Sequence, residues 1–155
     1  VATVVNDFNF TADASGNYPV GTTTVIWTVT DINGNTNTCT QLITVTDDEL
    51  PSIACAPDQT QTNDPGICGA TVTVISPVAN DNCGVASVIN NFNATSDASG
   101  LYPVGTTTVI WTATDVNGNT STCIQLITIF DTESPVASVA AASARSPGFA
   151  RSRTA

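Results

Sequence analysis

The chain has 155 residues, enough for one ordinary domain or two small ones, with 41% hydrophobic and 10% charged residues and a formal net charge of −10. Histidine, methionine and lysine are absent; the basic residues are Arg145, Arg151 and Arg153 alone, while all 13 Asp and Glu lie before position 134. That distribution excludes a nucleic-acid footprint on the main body and every scheme that needs a His base, a His ligand or a catalytic Lys.

No apolar run approaches the roughly 18 residues that a membrane helix requires. The chain opens on Val1 in mid-pattern, so a processed chain or a window on a longer one is expected. An internal repeat organises the rest. Residues 1–51 recur as 85–135 at a constant offset of 84, without gaps, with 37 identities in 51 positions. A period of this size suits a small β-sandwich. One complete unit is cut as 52–135. Residues 1–51 then form the C-terminal part of a preceding unit, and 136–155 are a non-repeat basic tail.

In chain order, Thr22–Thr30 and Thr38–Thr46 alternate like their later copies, with Asp31-Ile-Asn-Gly-Asn35 between them. Ala70–Ile75 is β-branched and alternating, and Val85–Ile89 is a shorter version. Thr106–Thr114 and Thr122–Phe130 are long period-two strands joined by Asp115-Val-Asn-Gly-Asn119, and an Asn-Gly step between such strands signals a hairpin. Pro103 and Gly105 break the chain just before the first of them. No capped helical pattern appears in 1–135. The expected fold class is all-β, antiparallel.

The string Tyr102-Pro-Val-Gly-Thr-Thr-Thr-Val-Ile-Trp111-Thr-Ala-Thr-Asp115 through Gly118, Asn119 and Cys123, followed by Asp131-Thr-Glu-Ser-Pro135, resembles the hyalin repeat, or HYR domain. So do the Cys55-Ala-Pro start, Cys68-Gly-Ala and Asp81-Asn-Cys83-Gly. The resemblance covers 1–135. It implies immunoglobulin-like antiparallel sandwich units in tandem, secretion, a role in adhesion or extracellular matrix, and no enzyme activity. A further Cys-Pro start is missing after 135.

Five cysteines in an acidic, Thr-rich chain point to an oxidising compartment and disulfides. Zinc is disfavoured, because no C-x-x-C pair and no His is present. Cys55, Cys68, Cys83 and Cys123 belong to the complete unit. Four cysteines allow three connectivities, and Cys55–Cys68 with Cys83–Cys123 is the expected pair of bonds. Cys39, the mate of Cys123, is expected to be a free buried thiol or to bond another chain.

No cofactor is required, but structural calcium is a candidate at the acidic junctions, through Asp47, Asp48 and Glu49 and through Asp131 and Glu133. The Asp31 and Asp115 turns carry Asn at alternate positions like a calcium loop, but a plain hairpin turn explains them. Trp27 and Trp111 sit on the same strand faces as Val25/Val29 and Val109/Ala113, which is a core pattern. Asn9, Asn93 and Asn119 begin glycosylation triplets. Between the copies, Asn17, Thr40 and Thr46 become Leu101, Ile124 and Phe130, so the second copy gains an apolar stripe of the kind that marks a contact.

The expected function is that of a non-catalytic extracellular structural protein, a filament subunit or adhesin stalk built from tandem units. The alternative is a carbohydrate-binding or spacer module of a larger secreted or cell-surface protein. Partners are then copies of the chain itself or neighbouring repeats, or a glycan or cell-surface ligand, with no nucleic acid and no membrane span. Residues 1–51 lack the strands that 52–84 supply to the second copy. Each uncovered Val or Ile forgoes about 1.5–3 kcal/mol. Two completions are therefore expected on equal terms: head-to-tail strand donation, with the tail, opening on Val136 and Val139, as donor, or covalent completion by upstream residues of a longer polypeptide.

Overall fold

The computed structural model describes residues 1–136; the rest of the tail, including Val139, lies outside the described residues. Eleven strands and no helix occupy the described residues: β1 Thr3–Asn6, β2 Gly21–Thr30, β3 Thr36–Val45, β4 Ser52–Ala54, β5 Gln59–Thr62, β6 Gly69–Val72, β7 Val78–Asn80, β8 Val85–Asn90, β9 Gly100–Pro103, β10 Gly105–Asp115 and β11 Thr120–Phe130. They form four sheets, β1-β2-β3, β5-β11-β10-β8, β4-β7 and β6-β9.

The long strands arise where Thr, Val and Ile alternate, because β-branched side chains suit a half-buried pleated surface. β10 and β11 run antiparallel in unbroken register from Gly105↔Ile129 to Thr114↔Thr120. In the turn between them, the Asp115 carboxylate accepts the backbone N–H groups of Asn117 and Asn119, each at 2.8 Å. Gly118 takes φ +96°, which only glycine adopts without strain. The inward face of the four-stranded sheet packs on β6-β9, with Ile53 and Cys55 of the β4 region at its flank. The core is Ala70, Val72, Val74, Ala98, Tyr102, Val109, Trp111, Ile127 and Ile129. This is the two-layer arrangement of an immunoglobulin-like sandwich.

Three expectations need correction. The sandwich is not wholly antiparallel, since β5 lies parallel to β11 from Gln59↔Ile127 to Thr62↔Phe130. These strands are far apart in sequence, so no hairpin forces an antiparallel pairing. The expected strand Ala70–Ile75 ends its ladder at Val72. Side chains replace the ladder beyond it: Val74 N–H donates to Ser99 Oγ at 3.0 Å and Ile75 N–H to Gln59 Oε1 at 3.0 Å. The disulfide is Cys55–Cys123, with Cα atoms 5.8 Å apart, so neither expected bond forms, and Cys68 and Cys83 are exposed thiols. Parallel pairing of β5 beside β11 carries Cys55 to Cys123. Cys68 sits on the far connection before β6, and Cys83 lies before β8.

The two copies fold alike locally. Asn6 and Asn90 are buried, and each carboxamide oxygen accepts two backbone N–H groups while its Nδ2 donates to a Thr carbonyl at 2.7 Å. Phe8 stacks on Tyr18 and Phe92 on Tyr102, both at 4.3 Å between ring centroids. The copies differ in what covers them. Tyr102 and Trp111 are fully buried, whereas Tyr18 and Trp27 are half-buried.

Candidate functional site

Two places combine chemistry with accessibility. The first is the inward face of β1-β2-β3. There Trp27 Nε1–H donates to Gln41 Oε1 at 2.9 Å, as Trp111 donates to Gln125 at 3.1 Å. Gln125 is fully buried, and its Nε2 donates onward to the Pro57 carbonyl at 3.0 Å. Gln41 is exposed and its Nε2 meets no acceptor among the described residues. A hollow of about 250 Å³ lies beside Trp27, lined by Val4, Val29 and the exposed Cys39. The outer edge of β3 carries no strand, whereas the matching edge of β11 carries β5. Cys39 is thus neither buried nor paired: it stands exposed where its mate Cys123 holds Cys55.

The second place is the junction between the copies. Asp47 Oδ2 accepts Asn117 Nδ2 at 2.6 Å, and the Asp47 carbonyl accepts Asn119 Nδ2 at 3.2 Å. Glu49 Oε2 accepts Asn82 Nδ2 at 3.0 Å. Ligand atoms of Asp47, Asp81 and Cys83 lie within 4.8 Å of one another. Asp81 Oδ1 accepts the N–H groups of Cys83 and Gly84, but its Oδ2 is buried without a partner. The Cys83 thiol hydrogen-bonds to Asp47, and that bond, desolvation and the charges of Asp47, Asp81 and Asp115 push its pKa up. It therefore stays protonated and a poor nucleophile. Burial presses Asp115 the other way from its neighbours, but hydrogen bonds from the Asn119 side chain and the turn's N–H groups leave its pKa below the usual carboxylate value.

The structure brings only Asp47, among the five expected acidic ligands, into a cluster; sequence spacing could not reveal Asp81 and Cys83 as its neighbours. Asp48 is exposed, and Glu49 turns to Asn82. Asp131 and Glu133 lie elsewhere, with Glu133 Oε1 accepting the Gly66 N–H at 2.7 Å and Asp131 Oδ1 accepting that of Glu133 at 3.0 Å. The Asp31 and Asp115 turns are spent on their own hydrogen bonds. Leu101, Ile124, Phe130 and Val136 are all exposed; Ile124 stands directly opposite the exposed Ile110. Leu101 is on a different sheet, beside Thr71. The Nδ2 atoms of Asn9, Asn93 and Asn119 donate to Asp13, Asp97 and Asp115 respectively.

The comparisons with known proteins follow the same lines. Hyalin of Strongylocentrotus purpuratus is 32% identical over 123 residues, covering 77% of this chain and 10% of that protein. Hyalin of Lytechinus variegatus is 33% identical over 117 residues, covering 74% of this chain and 22% of that protein. The sushi, von Willebrand factor type A, EGF and pentraxin domain-containing protein 1 of Rattus norvegicus is 34% identical over 108 residues, 68% of this chain and 3% of that protein. The chain therefore spans a small fraction of the length of these relatives. The HYR domain family matches residues 46–129, which contain the whole β4–β10 segment, both half-cystines and nearly all of β11. With more than half its length matched and its repeated motifs in family order, the chain belongs to the HYR domain family.

Proposed function

We propose that the chain is a non-catalytic structural segment of an extracellular protein, working as a stalk or filament unit through strand donation to the sheet of residues 1–51. The observation that carries this reading is the uncovered face at Trp27 and Cys39, beside an unpaired β3 edge. An apolar face next to free backbone donors and acceptors is a template for another strand. The Cys55–Cys123 bond and the family fit an oxidising, extracellular setting. A carbohydrate-binding role would need an aromatic platform; Phe8 with Tyr18 and Phe92 with Tyr102 stack on one another and Trp111 is buried, which leaves Phe10, Trp27 and Phe130 as the accessible rings among the described residues. Electron microscopy and sedimentation test the structural reading. The native material should form end-to-end assemblies; a strictly monomeric particle whose β3 amides exchange as slowly as those of β11 would overturn it.

The unpartnered Asp81 Oδ2 favours a second element, structural calcium at the junction. Asp47 and Asp81 would supply carboxylate oxygens, and rotation of the Asn117 amide would present its carbonyl instead of its NH₂. A divalent ion would relieve like-charge repulsion that no Lys or Arg of residues 1–135 offsets. Millimolar calcium is expected to raise the melting temperature relative to chelator, and Asp81→Asn is expected to abolish that difference. Coincident melting curves would remove calcium from the account.

A further inference from the structure

The exposed thiols of Cys68 and Cys83 stand at opposite ends of the complete unit. Val104, just before β10, donates its N–H to the Cys68 carbonyl at 3.3 Å. Val116, just after β10, donates its N–H to the Gly84 carbonyl at 3.0 Å. The 11 residues of β10 between them span about 35 Å, whereas a disulfide needs Cα atoms within about 7 Å. The two cannot bond within one unit.

We propose that they bond between units: Cys68 of one unit pairs with Cys83 of a second copy of residues 52–135 stacked end to end on it. The proposal rests on the stalk or filament reading in one respect, that units stack along one axis. It adds which faces meet and the covalent bond that joins them.

The linkers at the two ends supply the geometry. Asp47 and Glu49 lead into the complete unit, and their repeat mates Asp131 and Glu133 lead out of it, at the offset of 84. On the entry side, Glu49 Oε2 accepts Asn82 Nδ2 at 3.0 Å, and Asp47 accepts a hydrogen bond from the Cys83 thiol. On the exit side, Glu133 Oε1 accepts the Gly66 N–H at 2.7 Å. The loop that carries Cys68 also wraps the exit linker: Asn63 N–H donates to the Phe130 carbonyl at 2.9 Å, and Thr132 N–H to Asn63 Oδ1 at 3.1 Å. One glutamate position thus makes two contacts through different oxygens. A single carboxylate in a stack can therefore hold Gly66 of one unit and Asn82 of the next. Two hydrogen bonds of about 3 Å through one carboxylate place the two loops in contact. Cys68 lies two residues beyond Gly66, and Cys83 directly follows Asn82. The remaining exposed thiol, Cys39, lies mid-strand in β3 opposite Trp27, away from either linker. The bond would turn a single-chain linker into a joint held at two points, which stiffens a stack.

The bond forms by thiol–disulfide exchange with a small-molecule disulfide such as oxidised glutathione. The Cys68 thiolate attacks it and releases one glutathione thiolate. The Cys83 thiolate of the next unit then attacks the Cys68 sulfur and expels the second. The two protein thiols lose two electrons and two protons, and glutathione disulfide becomes two glutathione thiols.

The test uses residues 1–135 extended by a second copy of residues 52–135, with Cys83→Ser in the first complete unit and Cys68→Ser in the second. One Cys68 and one Cys83 then face each other across the new junction, and Cys39 is kept as an internal competitor. After equilibration in glutathione buffer and cleavage at acidic residues, mass mapping should join Cys68 to Cys83, beside two intact Cys55–Cys123 bonds. The effective concentration of the pair, read from the glutathione ratio at half-reduction, should reach about the millimolar range or above. Glu133→Ala in the new junction should lower it about ten-fold, the worth of one hydrogen bond to a charged acceptor. The converse substitutions, Cys68→Ser in the first unit and Cys83→Ser in the second, leave the two cysteines at far ends and should give no bond within the chain. Absence of the Cys68–Cys83 bond with both Cys55–Cys123 bonds in place overturns the proposal. Pairing of either cysteine with Cys39 in preference, or an equal yield from the converse substitutions, overturns it too. If the bond is absent while native material still forms end-to-end assemblies, the proposal fails and the structural reading stands. If the bond forms while native material is strictly monomeric, the clip between units stands and the filament reading fails.

Discussion

Removing the disulfide by the double substitution Cys55→Ser and Cys123→Ser is expected to destabilise the unit by about 4 kcal/mol, measured by chemical denaturation. The bond closes a loop with a sequence separation of 68, and the chain-entropy account assigns about 4 kcal/mol to a loop of that size. That is a large share of the roughly 5–15 kcal/mol available to an ordinary domain. The bond also holds β4 against β11, at the border of the core, so its loss exposes Ile53 as well as loosening the chain. Cys68→Ser and Cys39→Ser serve as controls. Both side chains are exposed, and such substitutions are expected to stay within about 0.5 kcal/mol. A loss at Cys68 equal to that at Cys55 would show that the expected Cys55–Cys68 bond forms after all.

Trp111→Ala and Trp27→Ala are the same change at the same point of the repeat, and they should differ several-fold. Trp111 is fully buried against β6 and β9, and its Nε1–H is bonded to a buried Gln125. Truncation there should cost about 3–5 kcal/mol, through lost transfer energy and the cavity left behind. It also strands Gln125, whose carboxamide oxygen loses its donor. Trp27 is half-buried beside an open hollow and bonds to an exposed Gln41. Its truncation should cost about 1–2 kcal/mol, in proportion to the area it removes from water. Equal costs would mean that the first sheet is already covered.

The strands most legible in the sequence were those with their partner nearby. The β10-β11 hairpin has alternation, an Asn-Gly step and a short connection, so periodicity and turn chemistry agree on it. The short strands β4, β5, β7 and β9 carry no comparable signal. β5 is Gln-Thr-Gln-Thr, with no apolar residue at all; its place comes from the free edge of β11. Gly69 in β6 has a similar origin, since a Cβ there would meet the Tyr102 carbonyl oxygen at 2.5 Å. The acidic cluster was half legible. Asp47 stood out at a junction, but Asp81 and Cys83 reach it only because the loop before β8 folds against the junction.

The near-identical segments Gly16-Asn-Tyr-Pro19 and Gly100-Leu-Tyr-Pro103 separate the two levels most clearly. The sequence alone determined the repeat, the all-β class, the hairpin and the inward face of each long strand, because these depend on side-chain pattern and turn residues within a few positions. Only Gly100–Pro103 is a strand, since β6 lies beside it with Gly69 opposite Pro103 and Val72 opposite Gly100. Gly16–Pro19, without such a neighbour, is irregular. The same holds for Cys123 and Cys39, one bonded and the other an exposed thiol. Tertiary structure decided which copy is closed and which bond forms, because a ladder or a disulfide needs a second segment within reach, and local sequence does not say what that segment is.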